Sequence, residues 1–182
     1  MKKFLLLLLF CTIFLLNGCV KNISNIDVQK LNQKASEYMA SGEYDKAVAR
    51  LESIIDLNPE FPETHYNLGV AYYQLNDYEK ALKALTEAVF LKPDFADAYY
   101  SRAVVYEDWA YSMLEGENVE NAKKEATTED KIKSAEYLKN AKIDFEKYLE
   151  LKKNANDKDD VNEKIIQIEN DLNNFDLPQK ED

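Results

Sequence analysis

The chain has 182 residues, enough for one domain with tails. Its formal charge of −11 leaves no basic patch to neutralise nucleic-acid phosphates or anionic lipid headgroups. Four glycines and four prolines are too few for long flexible linkers, and both cysteines, Cys11 and Cys19, fall near the amino terminus. If that segment is processed, no thiol remains for a disulfide, a zinc site or nucleophilic chemistry.

Lys2 and Lys3 precede an apolar run from Phe4 to Leu16. As a helix this run reaches roughly 20 Å, short of the roughly 30 Å hydrocarbon core of a bilayer. A positive start followed by a short apolar core is the pattern of a signal peptide, expected over residues 1–18. Leu16-Asn17-Gly18-Cys19 then resembles a bacterial lipobox. The resemblance implies cleavage before Cys19, a diacylglycerol thioether on its sulfur and acylation of the new amino terminus. The alternatives are a plain signal peptide with an incidental cysteine, or a retained span. Several acyl chains hold a protein on a membrane without help from charge, and residues 19–27 are expected to form a short tether.

The remainder carries an internal period. Tyr38, Tyr72 and Tyr106 are spaced by 34 residues, as are Ala47 and Ala81, Leu51 and Leu85, and Pro59 and Pro93. His65, Leu68, Gly69 and Tyr72 mark one face of a helix, and Ala81, Leu85 and Ala88 mark another. Asn76-Asp77 offers a helix start between them, and Pro62 suits a first turn. Gly69, Ala81 and Ala88 are small where two antiparallel helices would have to approach closely.

His65-x2-Leu68-Gly69-x2-Tyr72, with Ala81-x3-Leu85, Ala88 and Pro93, resembles the tetratricopeptide repeat, His65 standing where that family prefers Trp. Leu31, Ala35, Tyr38, Ala47, Leu51, Ile54 and Pro59 form an earlier copy, with Lys34 at a place usually apolar. Tyr99, Arg102, Ala103 and Tyr106 begin a third, whose second helix returns only at Ala141-x3-Phe145. The expected architecture is all-α: a short solenoid of antiparallel helix hairpins over residues 28–152, divided at 28–61, 62–95 and 96–152. An insertion of about 26 residues near 111–136 either extends the third hairpin or forms a flexible acidic loop.

In the extended reading, a first helix running toward Leu114 faces a second over about 128–152, with the loop near Gly116. Thr127-Thr128 with Asp130 starts that second helix, and Ile132, Ala135, Leu138, Ala141, Phe145 and Tyr148 form its apolar face. Trp109 and Met113 are expected to lie along Ile132 and Ala135, and Arg102 to find Glu107 or Asp108. Residues 153–182 hold a linker, a helix capped by Asp159 or Asp160, and a polar tail after Pro178. Val161, Ile165, Ile168, Leu172 and Phe175 give that helix one apolar face, enough to cover the open end of a stack.

Reactive chemistry is sparse. The single histidine, His65, sits on a buried stripe, and no Ser-His-Asp or Cys-His set, phosphate loop or metal-ligand spacing is present. The chain is therefore expected to be no enzyme and to need no cofactor or metal. The family resemblance implies a binding groove lined by each pair's first helix. The residues it points to are Met39, Tyr66, Val70, Tyr73, Tyr100, Val104 and Glu107, with Asn32 and Ser36 beside Met39 and acid at one end from Asp97 and Asp108. Some members of the family grip a partner's terminal carboxylate with lysine, asparagine and arginine; Asn32, Ser36 and Asp97 do not supply that clamp.

The expected partner is a protein segment with apolar anchors, with a membrane reached through the lipid on Cys19. The tyrosines could equally serve only to pack helices together. The corresponding function is a lipid-anchored adaptor of the bacterial cell envelope, at the outer membrane where the host has one. The alternative is a structural subunit that self-associates through the third hairpin.

Overall fold

A computed structural model describes residues 28, 30–115, 118–119, 122–123 and 125–175. The leader, the lipobox with Cys19, the tether and the tail after Phe175 lie outside the described residues.

The described chain is a row of helices. α1 covers 30–40. α2 (Tyr44–Leu57), α3 (Pro62–Gln74), α4 (Tyr78–Leu91), α5 (Ala96–Glu115), α6 (Thr128–Leu151) and α7 (Lys158–Asn174) follow. Between α5 and α6, β1 (Asn118–Val119) pairs antiparallel with β2 (Ala122–Lys123), Val119 opposite Ala122. From α2 onward each helix packs chiefly on the ones before and after it, with smaller contacts between helices two apart, such as α3 with α5, so each pair rests on its neighbours.

Small side chains set the spacing within each pair. Ala35, Ala47, Ala81, Ala103 and Ala141 are fully buried, and Gly69 is buried at the place equivalent to Ala35 and Ala103. A Cβ on Gly69 would come within 2.5 Å of Leu85 Cγ and 3.1 Å of the Ala81 carbonyl oxygen. Leu51, Ile54, Leu68 and Leu85 fill the core of α1–α4. Leu138, Phe145, Val161 and Ile168 fill a second core in α5–α7. Val105 joins the first of these cores from α5, and Ala88, Val89 and Ala98 pack as a link between α4 and α5.

The first two hairpins close with the same turn. Gly42 has φ +75° and Asn76 has φ +59°, 34 residues apart. In the first turn Glu43 N–H donates to the Tyr38 carbonyl at 2.9 Å and Gly42 N–H to Met39 at 3.1 Å. Asp77 N–H to Tyr72 at 3.0 Å and Asn76 N–H to Tyr73 at 2.9 Å repeat the pattern. This is a Schellman closure, which needs a residue tolerant of the left-handed region at its reversing position. The equivalent residue in the third copy is Ala110, and there the chain stays helical through Glu115. The third hairpin is thus extended: a 20-residue α5 faces a 24-residue α6.

Helix starts follow local chemistry. Asp77 caps α4 by accepting from Lys80 N–H at 3.2 Å, and Thr127 with Asp130 forms a reciprocal capping box on α6. At α7 the expectation of Asp159 or Asp160 as the cap fails. The helix begins at Lys158, and the N-cap Asp157 makes no cap bond but accepts from the Tyr148 hydroxyl at 2.8 Å. Ile132 also departs from the expected stripe and is 49% exposed, while Ser134 takes a buried place and donates to the Ala110 carbonyl at 2.9 Å. A hydroxyl satisfied by a backbone oxygen is tolerated where helices cross closely.

Gly69→Ala is expected to cost about 1–3 kcal/mol by forcing α3 and α4 apart. Gly42→Ala, with open space around it, is expected to cost about 1 kcal/mol through backbone strain alone. Urea midpoints followed by helical circular dichroism check both; an unchanged midpoint for Gly69→Ala would contradict the close approach.

Candidate functional site

The expected groove residues belong to α1, α3 and α5, the first helices of the three pairs. Met39, Tyr66, Val70, Tyr73, Tyr100 and Val104 are all half-buried. Tyr66 packs on Phe95 with ring centroids 5.0 Å apart. Tyr73 donates its hydroxyl to Asp108, tying α3 to α5, and lies 6.3 Å from the Tyr78 ring. Burial first, then the Asp108 carboxylate, pushes the Tyr73 phenol well above its ordinary range. Tyr100 packs across its own hairpin, 5.7 Å from Phe145 and 5.1 Å from Tyr148. These rings therefore bridge helices while keeping part of their surface open. Asn32 donates to Thr64 Oγ1 at 2.9 Å, joining α1 to α3 beside Met39.

The acidic residues of the expected groove end are engaged within the chain. Glu107 is buried and accepts from Lys164 of α7 at 2.6 Å. Asp97 pairs with Lys152 at 2.5 Å, and Asp108 holds Tyr73. α7 is further fixed by Tyr111 donating to Asp171 at 2.6 Å and by Lys142 pairing with Glu169 at 2.7 Å.

Arg102 does not meet Glu107 or Asp108. Its guanidinium donates twice to Asp144 of α6, Nε at 2.7 Å and Nη2 at 2.8 Å. Glu107 and Asp108 follow Arg102 on the same helix and turn to other partners, whereas Asp144 lies across the hairpin on the stripe of Ala141, Phe145 and Tyr148. Burial pushes the Asp144 carboxyl above its ordinary value, and the two bonds from Arg102 offset only part of that. A carboxylate on an otherwise apolar stripe was the signal in the sequence for this partner. Trp109 stacks on Tyr78 at 5.9 Å and leans on Tyr137 at 4.8 Å.

His65 is buried and donates from Nε2 to the Pro59 carbonyl at 2.7 Å, a packing role. Among the described residues no group of three His, Cys, Asp or Glu side chains could hold a metal, and no helix is long and apolar enough to cross a membrane.

Residues 38–104 match the family model of the tetratricopeptide repeat. No curated protein matches the chain in sequence. The first tetratricopeptide domain of Spaghetti (RPAP3), bound to an HSP90 peptide, superposes with a TM-score of 0.60 at 22% identity, covering 80% of this chain and 93% of that one. The Sgt2 domain from Aspergillus fumigatus gives 0.60 at 20% identity over 86% and 87% of the two chains. The Yersinia enterocolitica secretion chaperone SycD, in complex with a peptide of the translocator YopD, gives 0.59 at 13% over 79% and 92%. The fold is a short tetratricopeptide solenoid. Within this solenoid the third pair is lengthened and α7 takes the place where a further first helix would stack.

Arg102→Leu is expected to cost the solenoid about 3–5 kcal/mol, because it strands a buried carboxylate. Adding Asp144→Leu removes that carboxylate and is expected to recover most of the loss. Chemical denaturation of the two variants checks this; equal stability of the single and double variants would contradict the pairing.

Proposed function

We propose that the protein is a non-catalytic adaptor of the bacterial cell envelope, anchored to a membrane by lipid on Cys19, that binds an extended segment of a partner protein. The observation that carries the binding role is the row of half-buried aromatic and aliphatic side chains on three successive first helices: Met39, Tyr66, Val70, Tyr73, Tyr100 and Val104. Such a row offers apolar anchor sites at regular spacing to an extended chain. Solenoids of the same fold hold peptides in the Spaghetti and SycD complexes, which supports the same use here.

The partner differs in chemistry from the acidic peptide SRMEEVD held by Spaghetti. Asn32, Ser36 and Asp97 stand where a carboxylate clamp would need cations, and the chain carries a charge of −11. An apolar segment with basic residues suits this surface, since opposite charge speeds encounter and disfavours acidic competitors. Glu107, closed off by Lys164, acts in this reading as a fastening for α7 that borders the groove. The anchor rests on the lipobox-like Leu16-Asn17-Gly18-Cys19. It would place the solenoid close to the bilayer, since the tether 20–26 spans about 25 Å at most when extended.

In crosslinking from native membranes, Tyr66→Ala with Tyr73→Ala is expected to abolish partner capture while the helical signal persists, and Val70→Lys to do the same without touching a ring. Capture undiminished by either would overturn the groove. For the anchor, mass spectrometry of the native protein is expected to show an acylated Cys19 at the amino terminus, and Cys19→Ser to lose both acylation and cleavage. An unacylated native protein would overturn it.

A further inference from the structure

The lengthened third hairpin builds a second surface feature, on a different face of α5 from the groove. Trp109 lies five residues after Val104, about 140° further around the helix. With Tyr106 it faces Lys133 and Tyr137 of α6 and Glu79 of α4 across a cavity of about 440 Å³. Three of its lining residues, Tyr106, Trp109 and Tyr137, are aromatic, among polar and charged neighbours. Trp109 is 4.8 Å from the Tyr137 ring and 5.9 Å from Tyr78, and Tyr106 is 5.5 Å from Tyr137.

One ammonium already occupies these rings. Lys133 Nζ sits 5.3 Å from the Trp109 centroid and 5.6 Å from the Tyr137 centroid, within cation–π range of both. Among the described residues it makes no ion pair, and Glu79 and Glu136, which line the same cavity, are exposed carboxylates with no hydrogen bond or ion pair. A lysine elsewhere in the stack shows the contrast. Lys80 lies 5.2 Å from the Tyr72 ring, but its charge is met by Asp77 at 2.7 Å. At the Trp109 site the aromatic faces and the carboxylates are in place, and only a weakly held internal cation fills them.

We propose that this cavity is a binding site for the lysine side chain of a partner protein, with Lys133 as a displaceable internal occupant. Lys133 is exposed and can swing into water at little cost, leaving the rings to the incoming ammonium. Glu79 and Glu136 supply the counter-charge that Lys133 does not use. The occupant is a lysine-type ammonium because that is the group the rings accommodate here, and a chain of net charge −11 draws basic partners. The proposal rests on the adaptor reading in one respect, that the lysine is borne by a protein. Its test below touches none of the groove residues, so the two readings fail separately.

Trp109 is the sole tryptophan, so its fluorescence reports on this site alone. The full mature chain is titrated with acetyl-Gly-Lys-Gly-amide, with the glutamine counterpart of that tripeptide, and with choline. A saturable change with the lysine tripeptide and none with the glutamine one is expected. Glu79→Gln with Glu136→Gln, both exposed and harmless to the fold, is expected to weaken it about 3-fold, and Lys133→Gln to tighten it by a similar factor. No saturable change, or one indifferent to all three substitutions, would overturn the site. Saturation with choline while the lysine tripeptide is silent would overturn the protein-borne lysine in favour of a small quaternary ammonium.

Discussion

Two antiparallel helices can lie close together only where one of them offers almost no side chain. In this chain that place recurs every 34 residues, as Ala35, Gly69 and Ala103 on the first helices, with Ala47, Ala81 and Ala141 fully buried on the second. Gly69 shows how little room remains, since a single added carbon would overlap Leu85. Everything else is arranged around these contacts. Leucines and isoleucines fill the space on either side of them, tyrosines bridge from one pair to the next, and each pair depends on its neighbours to cover its remaining apolar face. The end of the row is closed by α7, which buries Val161 and Ile168 and is held by the Lys164–Glu107 pair and by Tyr111 with Asp171.

The third pair shows how one residue type redirects a repeat. Gly42 and Asn76 accept a left-handed backbone and reverse the chain; Ala110 does not, and α5 continues for another turn and more. The prolonged helix carries Trp109 and Tyr111 beyond the length of the earlier repeats, and α6 must begin early enough to face them. Lys133 and Tyr137 come from that added length, as does Ser134, which bonds the carbonyl of Ala110 itself. The departure from the repeat is thus the source of the aromatic cavity, which the two regular pairs lack the extra helix to build.

Much of this was readable in the sequence. The period of 34, the small residues, the Thr127–Asp130 start and the apolar spacing of α7 follow from local rules that act within a few turns of helix. The partners of long-range polar groups were not readable in the same way. Arg102 and Asp144 are 42 residues apart, and their meeting depends on the length of the insertion and on the pitch of both helices. Asp157 accepts from the Tyr148 hydroxyl instead of capping α7, and Ile132 is exposed while Ser134 takes a buried place on the same helix. The groove was legible as a set of positions. That its tyrosines also carry structural bonds, and that Glu107 is closed off by α7, needed the three-dimensional arrangement.

Hydrogen exchange along the chain tests the central claim most directly, because amides are protected only where helices are both formed and packed. If small side chains let the third pair nest along its whole length, amides of 104–112 and 132–140 exchange as slowly as those of α3 and α4. Exchange of those two stretches at the rate of an open loop, with α3 and α4 still protected, would contradict the account.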